Sequence, residues 1–331
     1  MKTLFEMLFE QKLKLEDISH LVEGHSGLGG LALLADRQLI LDQLSDLMAT
    51  IECRPCLASS KPNFSCFDEV NLVIVATEND DTVLPYIQYF IAHNIKFLPV
   101  WVTTPAGYIT SNSLAREVLE AEFLRQTSEG FAKWDHGPHD FVNLIQALEA
   151  TSDLNGCYVE VGCFNGSSSC AVLQYAKAAN IKCDFYFFDV FEGFNYDEAL
   201  NSSDLVWAGS HTSNGLDIVR QRIEKLRYRT DCELVVDKKN IISDELPLEV
   251  IERGIRVANL DVDLYEAVFS GLNRLAPHIV PGGILICEDY GHTPLLIGAN
   301  LAVVQFMQSD QGKSFTKIDM QSGQTFLVKR G

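Results

Sequence analysis

Short apolar runs of strand length alternate with helix-length amphipathic segments along most of the chain. That alternation predicts an α/β fold. In the first third, Ile18–Val22 reads as a short strand, Gly24–Gly30 as a flexible turn and Leu31–Met48 as a helix. Val70–Thr77 and Ile95–Val102 read as strands flanking a helix over Asp81–His93, the order of a parallel crossover. Thr104–Ser113 collects turn residues and marks a boundary, which divides the chain into a small α/β domain over 1–110 and a second domain over 111–331. Helices are expected over Ser113–Gln126 and Phe141–Ala150, with a loop at Trp134–Asp140 between them. Strands follow at Cys157–Val161, Cys183–Asp189, Cys232–Val236, Ile255–Leu260 and Gly283–Cys287. Helices at Ser167–Ala179, Gly215–Arg227, Pro247–Arg253, Tyr265–Ala276 and Leu295–Met307 alternate with them. Phe315–Met320 and Gln324–Lys329 close the chain as a hairpin. Such a rhythm predicts a Rossmann-like seven-stranded sheet.

Charge narrows the partners. The chain carries 45 acidic and 26 basic residues, a net charge of -19. That balance argues against a nucleic-acid backbone and against an anionic membrane surface. Runs such as Leu72–Ala76 and Ile284–Cys287 fall far short of a membrane span. The N-terminus has an early acid, no continuous apolar core and no small-residue cleavage site, so no signal peptide is expected. Nine cysteines are scattered, several of them inside apolar strands, as small buried hydrophobes of a reducing, cytoplasmic setting. Cys53-x-x-Cys56, with Cys66 beyond it, does not complete a zinc set. Gly24, Gly27, Gly29 and Gly30 loosely match a dinucleotide turn. The strand before them is poor, and no acid ends the next candidate strand near Ile51–Leu57 to hold a ribose. Packing, dimerisation or substrate positioning is therefore expected of this degenerate Rossmann-like domain.

The chemistry concentrates in the second domain. Glu160-Val161-Gly162-Cys163-Phe164-Asn165-Gly166-Ser167-Ser168 has the form E-x-G-x-x-x-G between a strand and a helix. Its glycines allow close backbone approach to a ligand, and the helix N-terminus favours a carboxylate. Gly162 and Gly166 would frame the amino-acid part of S-adenosylmethionine, with Glu160 drawn to its positive charge. An ordinary tight β–α turn would look the same. Asp189 ends the next strand, where a carboxylate can accept both ribose hydroxyls or merely cap a helix. Further on, Asp261 and Asp263 in Leu260-Asp-Val-Asp-Leu, and Glu288-Asp289 after the Ile284–Cys287 run, end two strands. Adjacent strand ends would gather Asp261, Glu288 and Asp289, and clustered carboxylates repel unless a hard cation sits among them. The bland reading is that these acids cap helices or face solvent.

The four segments E-V-G-x-x-x-G, F-D-V-F-E-G-F (188–194), L-D-V-D-L-Y-E and P-G-G-I-L-I-C-E-D-Y-G together resemble the macrocin O-methyltransferase (TylF-like) family, over roughly residues 140–331. The first 110 or so residues are not explained by it. The resemblance implies S-adenosylmethionine as cofactor, bound by Glu160, Gly162, Phe164, Gly166, Ser168 and Asp189. It implies Mg²⁺ or Mn²⁺ on Asp261, Glu288 and Asp289, where relatives commonly carry Asp in place of Glu288. The implied acceptor is a small-molecule hydroxyl, on a sugar or glycosylated natural product. Catechol-type relatives place a Lys base three residues after the first metal Asp, and here that position is Leu264. Asp261 with Asp263 and His292 are then the catalytic candidates. Asp263 could instead cap the helix near Tyr265, and His292 could be a surface residue. The segment Asn195–Asn214, with Tyr196, Trp207 and His211, suits a lid or acceptor-binding loop. A homo-oligomer is compatible with all of this. Two other classes compete: a bifunctional enzyme binding a nucleotide-sugar, and a non-catalytic scaffold with a vestigial site.

Overall fold

The structure is a computed structural model describing residues 30–35, 38–43, 53–59, 61–77, 80–101, 110, 112–129, 138–202, 209–211, 213–291 and 296–331. Contacts divide the chain into two compact units, Met1–Arg116 and Glu117–Gly331. The expected strand at Ile18–Val22, the Gly24–Gly29 turn and most of the Trp134–Asp140 loop lie outside the described residues.

The first unit holds β1 (Gly30–Ala35), α1 (Gln38–Gln43), β2 (Arg54–Leu57), β3 (Val70–Thr77), α2 (Asp80–Ala92) and β4 (Lys96–Trp101). Its four strands are all parallel, in the order β2-β1-β3-β4. Leu31–Ala35 is strand, not the start of the expected helix. Ala32 to Ala35 are all buried, and a short fully buried apolar run satisfies strand and helix patterns equally. β1 also begins at Gly30, so that glycine opens a strand instead of following one. The nucleotide-turn order of strand, glycine, helix is not what Gly30 offers. Phe67, Tyr86 and Phe90 pack edge-on over this sheet.

The second unit is a seven-stranded sheet ordered β10-β11-β9-β8-β5-β6-β7. Its strands are β5 (Cys157–Val161), β6 (Phe185–Asp189), β7 (Leu234–Lys238), β8 (Ile255–Leu260), β9 (Ile279–Cys287), β10 (Phe315–Asp319) and β11 (Thr325–Lys329). β5 to β9 run parallel, and β11 pairs antiparallel to β9 and β10. β5 and β8 bury every residue, as strands covered on both faces must. The helices are α3 (Ser113–Glu129), which spans the division at Arg116, α4 (Pro138–Ala150), α5 (Ser167–Ala178), α6 (Asp197–Leu200), α7 (Leu216–Glu224), α8 (Leu248–Arg253), α9 (Tyr265–Leu275) and α10 (Ile297–Gln308). α4 starts three residues before the expected Phe141, because Pro138 suits a first helical turn. α6 was expected as loop. Strand order reverses at β5, which has β6 on one side and β8 on the other. In such sheets ligands gather at the carboxyl ends of the strands flanking this reversal. No described helix is long and apolar enough to cross a membrane.

Candidate active site

A cleft of about 760 Å³ opens at that reversal, lined from the ends of β5, β6, β8 and β9. Gly162, Phe164, Ser168, Asp189, Asp261, Asp263 and Asp289 all line it. The turn after β5 is drawn tight against β8. Gly162 has φ 96°, and a Cβ there would lie 1.6 Å from the Asp261 carbonyl oxygen. Only glycine allows that approach. Asp261 N donates to Val161 O at 2.9 Å, and Gly162 N to Phe188 O at 2.8 Å, so three strand ends are locked together.

The turn and the acid after β6 are coupled directly. Phe164, at φ 44°, donates its N–H to Asp189 Oδ2 at 2.8 Å, and Phe191 donates to Oδ1 at 2.6 Å. Burial raises the Asp189 carboxyl above its ordinary value, against the pull of these two amides. A carboxylate has about four lone-pair sites, so capacity remains for hydroxyl donors in the cleft. Gly166, at φ 80°, is the N-cap of α5 with no side-chain cap bond. The first turn of α5 lines the cleft through Ser167 and Ser168.

Glu160 departs from expectation. It is fully buried and is not among the residues lining the cleft. Side chains alternate along β5, so its carboxylate turns toward α5, where it accepts bonds from the Ser168 hydroxyl and, at 3.1 Å, from Ser169 Oγ. Burial pushes its pKa up to about 7, with the Asp261 charge adding and the serine bonds opposing. Glu160 therefore braces the helix that carries Ser168.

The acids after β8 and β9 converge, but not as the expected trio. Asp261, Asp263 and Asp289 each bring a ligand oxygen within 4.8 Å of the others. Asp263 joins because its backbone is left-handed, at φ 57°, which aims its N–H at Asp289 Oδ2 (3.1 Å). Aspartate tolerates that conformation better than most side chains. The N-cap of α9 is Leu264, not Asp263. Glu288 lies outside the cluster. It is buried, and its Oε2 accepts from the Gln324 side-chain amide. Gln324, itself fully buried, also donates to Asp140 O at 3.3 Å and accepts from Asn143 and, at 3.0 Å, from Ser322. Both acids lie in the bend just past the end of β9, where Asp289 lines the cleft and Glu288 turns to Gln324. His292 lies outside the described residues. Three hard oxygen donors in this arrangement fit a divalent cation such as Mg²⁺ or Mn²⁺.

Described residues between Val190 and Asn214, among them Phe194, Tyr196 and His211, line the remaining wall. Phe194 N donates to Ser210 O and Gly209 N to Phe194 O, closing a small loop on itself. The His211 ring packs edge-on to Phe194 and Phe164, with centroids 5.2 and 6.1 Å away. Ser202 Oγ donates to Glu266 Oε2 at 2.6 Å, and Asn214 N to Asn165 Oδ1 at 3.0 Å. The second of these ties the wall to the glycine turn. Burial, with Glu198, Asp189 and Asp263 nearby, pushes the Tyr196 hydroxyl well above its ordinary range. Sequence reasoning missed three groups. Asn165 fastens the wall, and Arg222 also donates to its carbonyl. Arg125, paired with buried Glu122, donates to Ser167 Oγ at 3.0 Å. Gln324 holds Glu288. Only Asn165 sat in a visible motif.

The sheet order and the cleft at its reversal give an α/β methyltransferase-like fold. The chain belongs to the macrocin-O-methyltransferase (TylF) family, whose model matches residues 136–323, more than half of its length. Among solved structures it is similar to the O-methyltransferase NovP, at 18% identity and TM-score 0.51, over 59% of this chain and 81% of that one. It is also similar to CalS11, a TDP-rhamnose 3'-O-methyltransferase of calicheamicin biosynthesis, at 13% identity and TM-score 0.44, over 66% and 94%. No curated protein matches it.

Proposed function

We propose that the protein is an S-adenosylmethionine-dependent, divalent-metal-assisted O-methyltransferase acting on a hydroxyl of a small molecule, a sugar or glycosylated natural product. The observation that carries this reading is one cleft lined both by the Gly162–Gly166 turn with Asp189 and by the Asp261, Asp263 and Asp289 cluster. Bound S-adenosylmethionine supplies an electrophilic methyl group, and a bound Mg²⁺ or Mn²⁺ supplies Lewis acidity that lowers the pKa of a hydroxyl. Asp189 accepts the ribose hydroxyls, and the α5 N-terminus with Ser168 receives the amino-acid end. Asp261 and Asp289 would hold the ion, which would supply Lewis acidity beside the third acid of the cluster, Asp263. Asp263, beside them, takes the acceptor's proton as general base. The aromatic wall of Phe164, Phe194 and His211 excludes water and orients the acceptor, which supplies rate through placement.

Calorimetric titration of S-adenosylmethionine, with and without Mg²⁺ and beside Asp189→Ala, tests the reading. Saturable binding lost in the variant is expected. No binding under either condition overturns it.

A further inference from the structure

One helix of the second unit is apolar on both of its faces. In α10, Ala299, Ala302, Val303 and Phe306 are buried and form the core face. Ile297, Leu301 and Val304 stand at i, i+4 and i+7 on another face, and they are 72%, 48% and 37% exposed. A helix that is apolar all round is ordinarily covered all round. The exposed patch continues onto α9. Tyr265 donates its hydroxyl to Gln305 Oε1 at 2.7 Å and stacks on Phe269, with centroids 5.9 Å apart, and both rings are only partly buried.

Charge decides what can cover this face. From Tyr290 to Ser309 the sequence has no aspartate, glutamate, lysine or arginine, in a chain of net charge -19 whose residues are 21% charged. A basic partner would seek acids and finds none here. Two copies of so acidic a chain repel wherever their acids meet, and an uncharged face is where they can approach. α10 also has no acid in its first turn and no base in its last, so both helix ends keep their partial charges. Antiparallel pairing with a second α10 sets the start of each helix against the end of the other. It also brings Asp310, whose side chain is fully exposed and pairs with Lys313, toward the positive start of the partner's helix.

Size sets how far the contact must extend. α10 has 12 residues, about 18 Å of helix. A single helix pair of that length falls short of the roughly 800 Å² per partner that a stable interface buries, so the α9 rings belong to it as well. We propose that the chain pairs with a second copy of itself through a two-fold contact of α9 and α10. In it Leu301 meets the partner's Val304, and Val304 meets the partner's Leu301. Leu296, the N-cap of α10, lines the cleft, so the contact starts one residue from the cleft wall.

Sedimentation velocity of the full chain across the micromolar range tests this. A species of twice the chain's mass is expected. Leu301→Glu sets a carboxylate into the contact from each side and should weaken pairing by at least about 100-fold. Ile218→Glu, at a residue of α7 that is 55% exposed, is the control and should leave pairing unchanged. Both sites are exposed, and matching melting points check that both variants fold. Leu301→Lys and Val304→Glu should each be monomeric alone. Mixed, they should pair again, because Lys at 301 then meets Glu at 304 while the reciprocal Leu301–Val304 contact is intact. A monomer at every concentration overturns the proposal, as does a dimer that survives Leu301→Glu or a mixture that stays monomeric. A monomer that instead binds neutral phosphatidylcholine vesicles assigns the face to a lipid surface and overturns it too.

Discussion

Both units are built around parallel apolar strands, yet they bury different things. In the first unit every described buried residue is apolar except Arg116, which lies in the helix that spans the division. In the second unit Glu160, Glu288, Asp289 and Asn259 are all at or below 3% exposure, at or just beyond strand carboxyl ends. Burying a carboxylate is costly unless hydrogen bonds or a cation compensate. A sheet that only packs has no reason to bear that cost, whereas one that holds a ligand does. The contrast assigns the chemistry to the second unit without appeal to any relative, and it can be broken by experiment.

The largest effect should come from the cleft acids. Asp261→Asn removes one charge from the cluster and keeps its shape. Methyl transfer should fall by about 10³-fold or more if, as proposed, an ion held there both orients and activates the hydroxyl. Mg²⁺ affinity should fall with it, while S-adenosylmethionine affinity holds. Full activity in Asp261→Asn would place the metal-linked chemistry elsewhere.

Next in size is a stability effect at Glu160. Its folded pKa of about 7 stands above the ordinary carboxylate value of 4.5. The folded protein therefore retains a proton that the unfolded chain loses, and stability falls as pH rises from 4.5 toward 7. Glu160→Gln carries no titrating proton and keeps an oxygen for Ser168. In metal-free protein, wild type should lose stability relative to Glu160→Gln across that window, by on the order of 3 kcal/mol, and the difference should be flat above it. Parallel denaturant midpoints from about pH 5 to about pH 8 would mean that Glu160 titrates normally and that its burial is not strained.

Glu288 sharpens the contrast within the second unit, since its burial is compensated by Gln324 and not by the cluster. Glu288→Gln keeps an acceptor for Gln324 and should leave Mg²⁺ affinity within about threefold of wild type. Glu288→Ala strands the Gln324 amide and lets Asp289 drift, which should cost about tenfold in Mg²⁺ affinity. A large loss in Glu288→Gln, equal to that of Asp289→Asn, would make Glu288 a metal ligand after all.

These expectations also mark how far the sequence could be read. The β–α rhythm over Cys157–Lys329 was legible because buried strands there are bounded by glycines and acids, and each acid fell at a strand end. Leu31–Ala35 was misread, since five apolar residues in a row carry no period. The exchange of Glu288 for Asp263 in the cluster was not legible. It depends on a left-handed backbone at Asp263 and on Gln324, a residue distant in sequence that faces Glu288 only once β11 pairs with β9. Contacts of that kind leave no local trace. Asp189 was legible because a lone acid closing an aromatic strand has few packing uses.

The smallest effect tests the other side of the comparison. Ile74 in β3 and Ile286 in β9 are both fully buried strand residues, one in each unit. Trimming either to valine removes one methylene and should cost about 1 kcal/mol. The two losses should differ in what rescues them. Ile286 lies in the sheet that carries Asp289, so S-adenosylhomocysteine with Mg²⁺ binds the fold that Ile286→Val weakens and should raise its melting point back by mass action. Ile74→Val weakens a sheet that holds no part of the cleft. Its melting transition should stay lowered by the same amount with or without ligand, and its affinity for S-adenosylhomocysteine should match wild type. Equal rescue of both variants would show that the units unfold as one cooperative body and that ligand stabilisation reaches the first sheet. The difference in buried charge would then still locate the chemistry, but it would no longer separate two independently stable parts.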